Sequence, residues 1–273
     1  MSDLIDAINS SSFDEVGSLI KSGANPNESD ALGRTPLMWA TKNGNIEIME
    51  LLLAHGADAN ARDKAGNVDV AKFLLDNGAE VDGKDSRGMT ALMKYARDGN
   101  MAFVELLLEK EANPNETDVT GKTPLMHADK NGNARIIQLL IENDADVNAV
   151  ESQGRTALMW AATKRNDQAV KILAEHGAKI DTQSATSGKT ALLQAVSHSN
   201  ISTVKLLLSL NANPLLANSS GQTAYDIARS RNNIDLQTLL PDPRSIASAL
   251  KRGGDALEML RRGVNQSKRK VVQ

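Results

Sequence analysis

An all-α solenoid, built from thin two-helix layers joined by short β-hairpin loops, is the fold class that this sequence predicts. Three observations predict it. Loop glycines at Gly33, Gly66, Gly88, Gly121, Gly154, Gly188 and Gly221 open seven copies of one phrase, at intervals of 33, 22, 33, 33, 34 and 33 residues. Self-similarity at a fixed period of this kind is the signature of a stacked repeat array. Each full copy holds two short segments with apolar residues at helical spacing. Aromatic residues make up only 3% of the chain, too few for one large core. Thin layers manage with Leu, Ala and Val, because each buries its faces against its neighbours.

Residues 1–30 read as an N-terminal cap. One short helix carries Leu4, Ile5 and Ile8, a second runs through Val16, Leu19 and Ile20, and Gly23 stops it. The copy near 31–63 shows the plan of the rest. Asp30-Ala31-Leu32-Gly33 turns the chain, with the glycine in a conformation that side chains disfavour. Thr35 caps the helix that follows, and Pro36 fits its first turn, where no N–H is needed. Leu37 and Ala40 mark its buried side, and Gly44-Asn45 breaks it. A second helix runs from Ile46 to His55 with Ile48, Leu51 and Leu52 inward, and Gly56 ends it in the left-handed conformation.

The copies near 86–118, 119–151, 152–185 and 186–218, and the C-terminal one at 219–240, repeat these positions. The cap recurs as Thr90, Thr123, Thr156, Thr190 and Thr223, and the buried leucine as Leu92, Leu125, Leu158 and Leu192, with Tyr225 last. The helix-stop glycine is kept at Gly23, Gly56, Gly78 and Gly177 but becomes Glu111, Asp144 and Asn211. The copy at 64–85 is short by the block that would form its first helix. Either residues 59–66 cross the gap as an extended strip, leaving a helix over 68–77 in its normal slot, or the array breaks into a small piece (1–63) and a main arm (86–240). Pro241-Asp242-Pro243 ends the pattern. Residues 241–263 are expected to form a short helical extension over the last repeat (Ser245–Arg252 and Asp255–Arg262), and 264–273 a basic tail without fixed structure.

The phrase that runs from Gly33-Arg34-Thr35-Pro36-Leu37 to Gly56-Ala57-Asp58-Ala59-Asn60 resembles the ankyrin repeat, and the resemblance extends from about Asp3 to Leu240. It implies an ankyrin-repeat α-solenoid with capping repeats and a role in binding other proteins. Where the family phrase reads Thr-Pro-Leu-His, with a histidine that bonds locally and to the next repeat, this chain places Met38, Met93, Met126 and Met159. The exchange implies apolar packing in place of a polar ladder.

Partner contacts, by the same resemblance, belong to the hairpin tips and the inner face of the first helices. After the turn glycine the copies read Arg34, Met89, Lys122, Arg155, Lys189 and Gln222, and near the end of the first helix Lys42, Arg97, Lys130, Lys164 and His198. Trp39 and Trp160 hold equivalent places between these rows. The candidate partner-binding residues are therefore Arg34, Trp39, Lys42, Met89, Arg97, Lys122, Lys130, Arg155, Trp160, Lys164 and Lys189, a basic stripe on the concave side. Its bland reading is a solvated face. Its sharper reading is a groove for an acidic protein or peptide, since complementary charge steers encounter. The tryptophans serve either as binding anchors or as half-buried packing.

Charge adds a constraint. The net charge is −3, but from Arg244 onward eight basic residues face two acidic ones, leaving 23 Lys/Arg against 32 Asp/Glu in the body. The body is acidic and the tail basic. With no cysteine, disulfides and thiolate metal sites are excluded. The start carries no positive leader with an apolar run, and no stretch approaches the ~20 apolar residues of a membrane span. Metalloprotease, phosphate-loop and nucleophile-elbow motifs are missing. His55 and His176 precede helix-stop glycines, where a structural role at the helix end suffices. The expectation is a cytoplasmic, monomeric, non-catalytic scaffold with no cofactor or metal, binding protein or peptide. The alternatives are a tether to nucleic acid or a membrane surface through Ser267-Lys268-Arg269-Lys270, and an adaptor subunit of an enzyme complex.

Overall fold

The computed structural model describes residues 2–58, 72, 75–76, 80–128 and 133–245. The expected crossing at 59–66, nearly all of the helix at 68–77, Lys130, and the chain from 246 onward lie outside the described residues. The chain divides into two units, Met1–Val81 and Asp82–Gln273.

In the first unit, α1 (Asp3–Asn9), α2 (Phe13–Lys21), α3 (Pro36–Lys42) and α4 (Ile46–Ala54) form two layers. First helix stacks on first helix (α1 on α3) and second on second (α2 on α4). The apolar spacing explains the packing: Leu4, Ile8, Val16, Leu37, Ala40, Ile48, Met49 and Leu52 share one core. The ends are set locally. Ser2 Oγ accepts from Ile5 N–H at 3.3 Å, Thr35 Oγ1 from Met38 N–H at 3.5 Å, and Gly56 stops α4 at φ +84°.

In the second unit, α5 (Ala91–Asp98), α7 (Pro124–Ala128), α9 (Ala157–Lys164), α11 (Ala191–Ser197) and α13 (Ala224–Ser230) are the first helices. The second helices are α6 (Met101–Glu109), α8 (Ala134–Glu142), α10 (Asp167–Glu175), α12 (Ile201–Ser209) and α14 (Ile234–Leu239). Each row contacts its successor in sequence order. Leu92, Leu125, Leu158 and Leu192 are at most 1% exposed, so each contributes about 1.5–3 kcal/mol by burial; Tyr225 is only half-buried. Thr90, Thr156, Thr190 and Thr223 cap their helices as expected. Thr123 does not: its hydroxyl is buried without a partner among the described residues, and the Met126 N–H bonds to the Thr123 carbonyl instead (3.1 Å). Glu111, Asp144 and Asn211 keep the left-handed stop, with φ of +61°, +65° and +67°.

The loops are hairpin turns, with no strand among the described residues. Within a turn, Asp118 N–H bonds to Lys122 O (3.1 Å); between turns, Val119 N–H reaches Arg87 O, Ser152 reaches Thr120, Thr186 reaches Gln153 and Ser219 reaches Ser187, at 3.0–3.3 Å. This contact requires glycine. A Cβ at Gly154 (φ +74°) would collide with the Ala185 amide.

The methionines at the family's histidine position are buried as expected, none more than 5% exposed. A polar ladder nevertheless exists, at the hairpin bases. Asn115 Nδ2 donates to Asp144 O (2.9 Å) and its Oδ1 accepts from Asp146 N–H (2.7 Å). Asn148 does the same with Gly177 O (3.1 Å) and Lys179 N–H (2.8 Å), as does Asn27 with Gly56 and Asp58 in the first unit. Inter-repeat polar bonding here runs through these amides, each of which carries both a donor and an acceptor.

Candidate functional site

Each hairpin in the candidate region is organised by one acceptor. The Asp30 carboxylate accepts from the N–H groups of Leu32 (2.9 Å) and Arg34 (3.0 Å), from Arg34 Nε (2.8 Å), and from the Trp39 indole (3.3 Å). Asp85 binds the Arg87 and Met89 N–H groups, both at 2.9 Å, and Lys94 Nζ at 3.3 Å. Asp118 binds Thr120 N–H (2.8 Å) and hydroxyl (2.6 Å), Lys122 N–H (3.0 Å) and His127 Nε2 (2.9 Å). Glu151 takes Arg155 Nε at 2.8 Å, and Ser184 replaces the acid in the following copy. The acid thus fixes its own turn and, in three copies, reaches the residue nine positions on. Trp160 is the exception: its Nε1 is buried with no partner among the described residues.

These bonds set the protonation. Burial raises the Asp30 pKa, but the backbone N–H groups of Arg34 and Leu32 and the Arg34 guanidinium outweigh it and hold the group at about 2. At Asp85 the Met89 N–H is the largest influence, opposed by burial and helped by Arg87 N–H and Lys94; it also lies at about 2. Asp118 is held below the usual range because the bonds from Thr120, Lys122 N–H and His127 outweigh its burial. Burial pushes His127 down, and Lys122 and Arg97 add to that against the opposing pull of Asp118. A neutral His127 therefore donates its Nε2–H to an ionised Asp118.

The candidate residues gather around the two tryptophans. Arg34 lies 4.1 Å and Lys42 4.8 Å from the Trp39 ring centroid. Lys122 lies 4.2 Å and Arg155 4.0 Å from that of Trp160. Both rings are half-buried. Attraction to the ring face holds such cations in place, so the indoles organise charge as well as offering apolar area. Lys122 comes from one repeat and Arg155 and Trp160 from the next, an assembly across the repeat boundary that no single copy reveals.

The stripe is not uniform. Arg34 is paired with Asp30 (2.7 Å) and Arg155 with Glu151 (2.8 Å), and Arg97 Nε lies 3.0 Å from Asp98. Lys164 is exposed, and Lys189 Nζ donates to Ser197 Oγ (3.1 Å). Among the described residues, no carboxylate pairs with Lys42, Lys122, Lys164 or Lys189. Met89 corrects the expectation: it is 5% exposed, with Arg97 Nη1 against its sulfur at 3.8 Å. An apolar side chain in the row of cations packs inward, leaving a break in the stripe. Lys130 lies outside the described residues.

The hairpin acids escaped the sequence reading, although their spacing (Asp85, Asp118, Glu151) equals the repeat period and was the available signal. His55 and His176 Nδ1 donate to the carbonyls of Leu51 (2.9 Å) and Ile172 (2.8 Å), closing helix ends. Among the described residues no His/Cys/Asp/Glu group has the arrangement of a metal site, and no helix is long and apolar enough to cross a membrane.

Comparison with known proteins agrees with the architecture. A family model of ankyrin repeats in three copies matches residues 4–63, 63–151 and 113–184, and a single ankyrin repeat model matches 187–219. Zygote-specific protein 3 of Chlamydomonas reinhardtii is 44% identical over 61 residues, which is 22% of this chain and 16% of that protein. The chain therefore spans about a sixth of the length of that curated relative. Ankyrin repeats generally mediate protein–protein interaction. With stacked two-helix layers, turn glycines at the repeat period and family models covering most of its length, this chain belongs to the ankyrin-repeat family.

Proposed function

We propose that the chain is a non-catalytic scaffold that holds an acidic protein or peptide against the hairpin ends and first helices of repeats 119–218. The observation that carries this reading is the uneven pairing of the basic row. Lys122, Lys164 and Lys189 have no carboxylate partner among the described residues, while Arg155 in the same row does. They stand out on a body whose other residues sum to a negative charge. Such local complementarity speeds encounter and fixes orientation. Holding Lys122 and Arg155 over the Trp160 ring lowers the ordering cost on binding.

The test compares proteins retained by the immobilised full chain with those retained by two variants. A partner lost on combining Lys122→Glu with Lys164→Glu, yet kept by Lys171→Glu on the exposed side of α10, supports this face. A partner that ignores the double change refutes it.

A further inference from the structure

The short turns that join first helices to second helices build another surface, in the N-terminal unit. Ser11 (φ +56°) and Gly44 (φ +70°) turn the chain between α1 and α2 and between α3 and α4. Asn45 Nδ2 donates to Ser11 Oγ at 2.8 Å and Asn43 Nδ2 to Ile8 O at 3.2 Å, so the two turns are held side by side. Between them lies a hollow of about 290 Å³, lined by the apolar Phe13, Ile46 and Ile48, by Glu47 and by the turns themselves. A Cβ on Gly44 would meet nothing within 4 Å, so the space over that turn is open.

Phe13 and Ile46 are the first residues of α2 and α4, and they are 43% and 50% exposed. At the same position Asp167 opens α10, and its carboxylate accepts from the Thr203 hydroxyl of the next repeat at 2.5 Å. Met101, Ala134 and Ile201 hold that position half-buried in the second unit. Phe13 and Ile46 leave apolar area in the open. Close to it in sequence, Asp14, Glu15, Glu47 and Glu50 are all exposed, and none forms an ion pair among the described residues. Acids in a first turn suit the helix dipole. Glu50 lies one turn further on, three residues from Glu47 and therefore on the same face of α4. Lys42, at the end of α3, is drawn to the Trp39 ring (4.8 Å).

We infer that this hollow docks a partner segment carrying a large apolar side chain flanked by lysine or arginine. Burying that side chain against Phe13, Ile46 and Ile48 supplies affinity. The carboxylates steer its approach and reject acidic chains. Because the turns are already fixed by Asn43 and Asn45, little ordering is left for the moment of binding. The hollow belongs to the first unit and the basic row of repeats 119–218 to the second, so either surface can fail its test without the other.

The experiment uses the full chain and three labelled twelve-residue peptides, followed by fluorescence anisotropy. One has a central Leu-Leu pair with two lysines on each side in a Gly/Ser background. The second replaces both leucines by serine, and the third replaces the lysines by glutamate. The first is expected to bind about tenfold or more tightly than either of the others, the scale of one buried large apolar side chain. Ile46→Ser should erase that advantage, and so should Glu47→Gln combined with Glu50→Gln, which alters no buried side chain and keeps the test open should Ile46→Ser disturb folding. Glu109→Gln, an exposed change in the second unit, should leave it. Binding that ignores both the Ile46 and the glutamate changes, or an acidic peptide that binds as well as the basic one, would overturn the inference. So would the failure of all three peptides, including the case in which the chain self-associates on concentration and Ile46→Ser abolishes it, since the occupant is then a second copy.

Discussion

Replacing Asn148 by Asp isolates one of the clamps at the hairpin bases. The Asn148 amide donates to the Gly177 carbonyl at 3.1 Å and accepts from the Lys179 N–H at 2.8 Å. Aspartate keeps the acceptor, loses the donor, and turns a carboxylate oxygen toward the carbonyl. The lost bond contributes about 0.5–1.5 kcal/mol, and oxygen–oxygen repulsion brings the expected destabilisation to roughly 1–2 kcal/mol. The chain supplies its own control. Asp82 and Asp181 stand in the same register and, among the described residues, hold only the N–H groups of Asn113 and Asn213. Asp82→Asn should therefore add a donor toward the Glu111 carbonyl and stabilise by roughly 0.5–1 kcal/mol. Urea unfolding followed by circular dichroism would show the midpoint falling for Asn148→Asp and rising for Asp82→Asn, with unchanged slope. Equal midpoints for Asn148→Asp and the parent chain would refute the claim that these amides bind successive repeats together.

Three further outcomes follow from the geometry. Glu111→Gly removes a side chain from a left-handed residue (φ +61°). It should stabilise by about 0.5–1 kcal/mol, the left-handed penalty less the added freedom of the unfolded glycine, and a lowered melting temperature would contradict this. Gly154→Ala sets a Cβ against the Ala185 amide at a residue with φ +74°, so thermal unfolding should reveal a loss of about 2 kcal/mol or more. Acid should act in two steps. The lowered pKa of His127 means that the unfolded chain takes up the proton first, so stability declines as pH falls below the ordinary histidine value of about 6.5. The lowered carboxylates, Asp30 and Asp85 at about 2, contribute stability that is complete above about pH 4 and lost as pH falls through 2. Urea titrations from pH 7 to pH 2 would detect both steps, and His127→Gln should remove the first alone.

The fold was readable because its determinants are local. Thr35 and Met38 are three residues apart, Gly33 turns its own loop, and the helix stops sit at the ends of their own helices, so one copy contains the information and the period repeats it. The left-handed geometry at Glu111, Asp144 and Asn211 could be inferred in the same way. What escaped were contacts between copies. Asn148 meets its partners 29 and 31 residues away, and Lys122 reaches a ring in the next repeat. The row of cations was visible, but which of them is neutralised depends on the reach of an acid in the same hairpin. Arg155 finds Glu151, whereas the Asp118 carboxylate takes the Lys122 backbone N–H and His127 and leaves the Lys122 ammonium alone. Met89 shared its alignment column with cations, and only its burial separates it from them.

The turn-to-turn bonding has an evolutionary consequence. Thr120 offers its carbonyl to whichever hairpin follows, and Ser152 offers its N–H to whichever precedes. Gene duplication that adds or deletes a complete unit at that seam would strand no backbone group, provided the incoming tip carries a small residue against the glycine, as Ala185 does against Gly154. Copy number can then drift while the seam chemistry stays fixed, and a binding surface of this kind changes its reach by counting units instead of remodelling them.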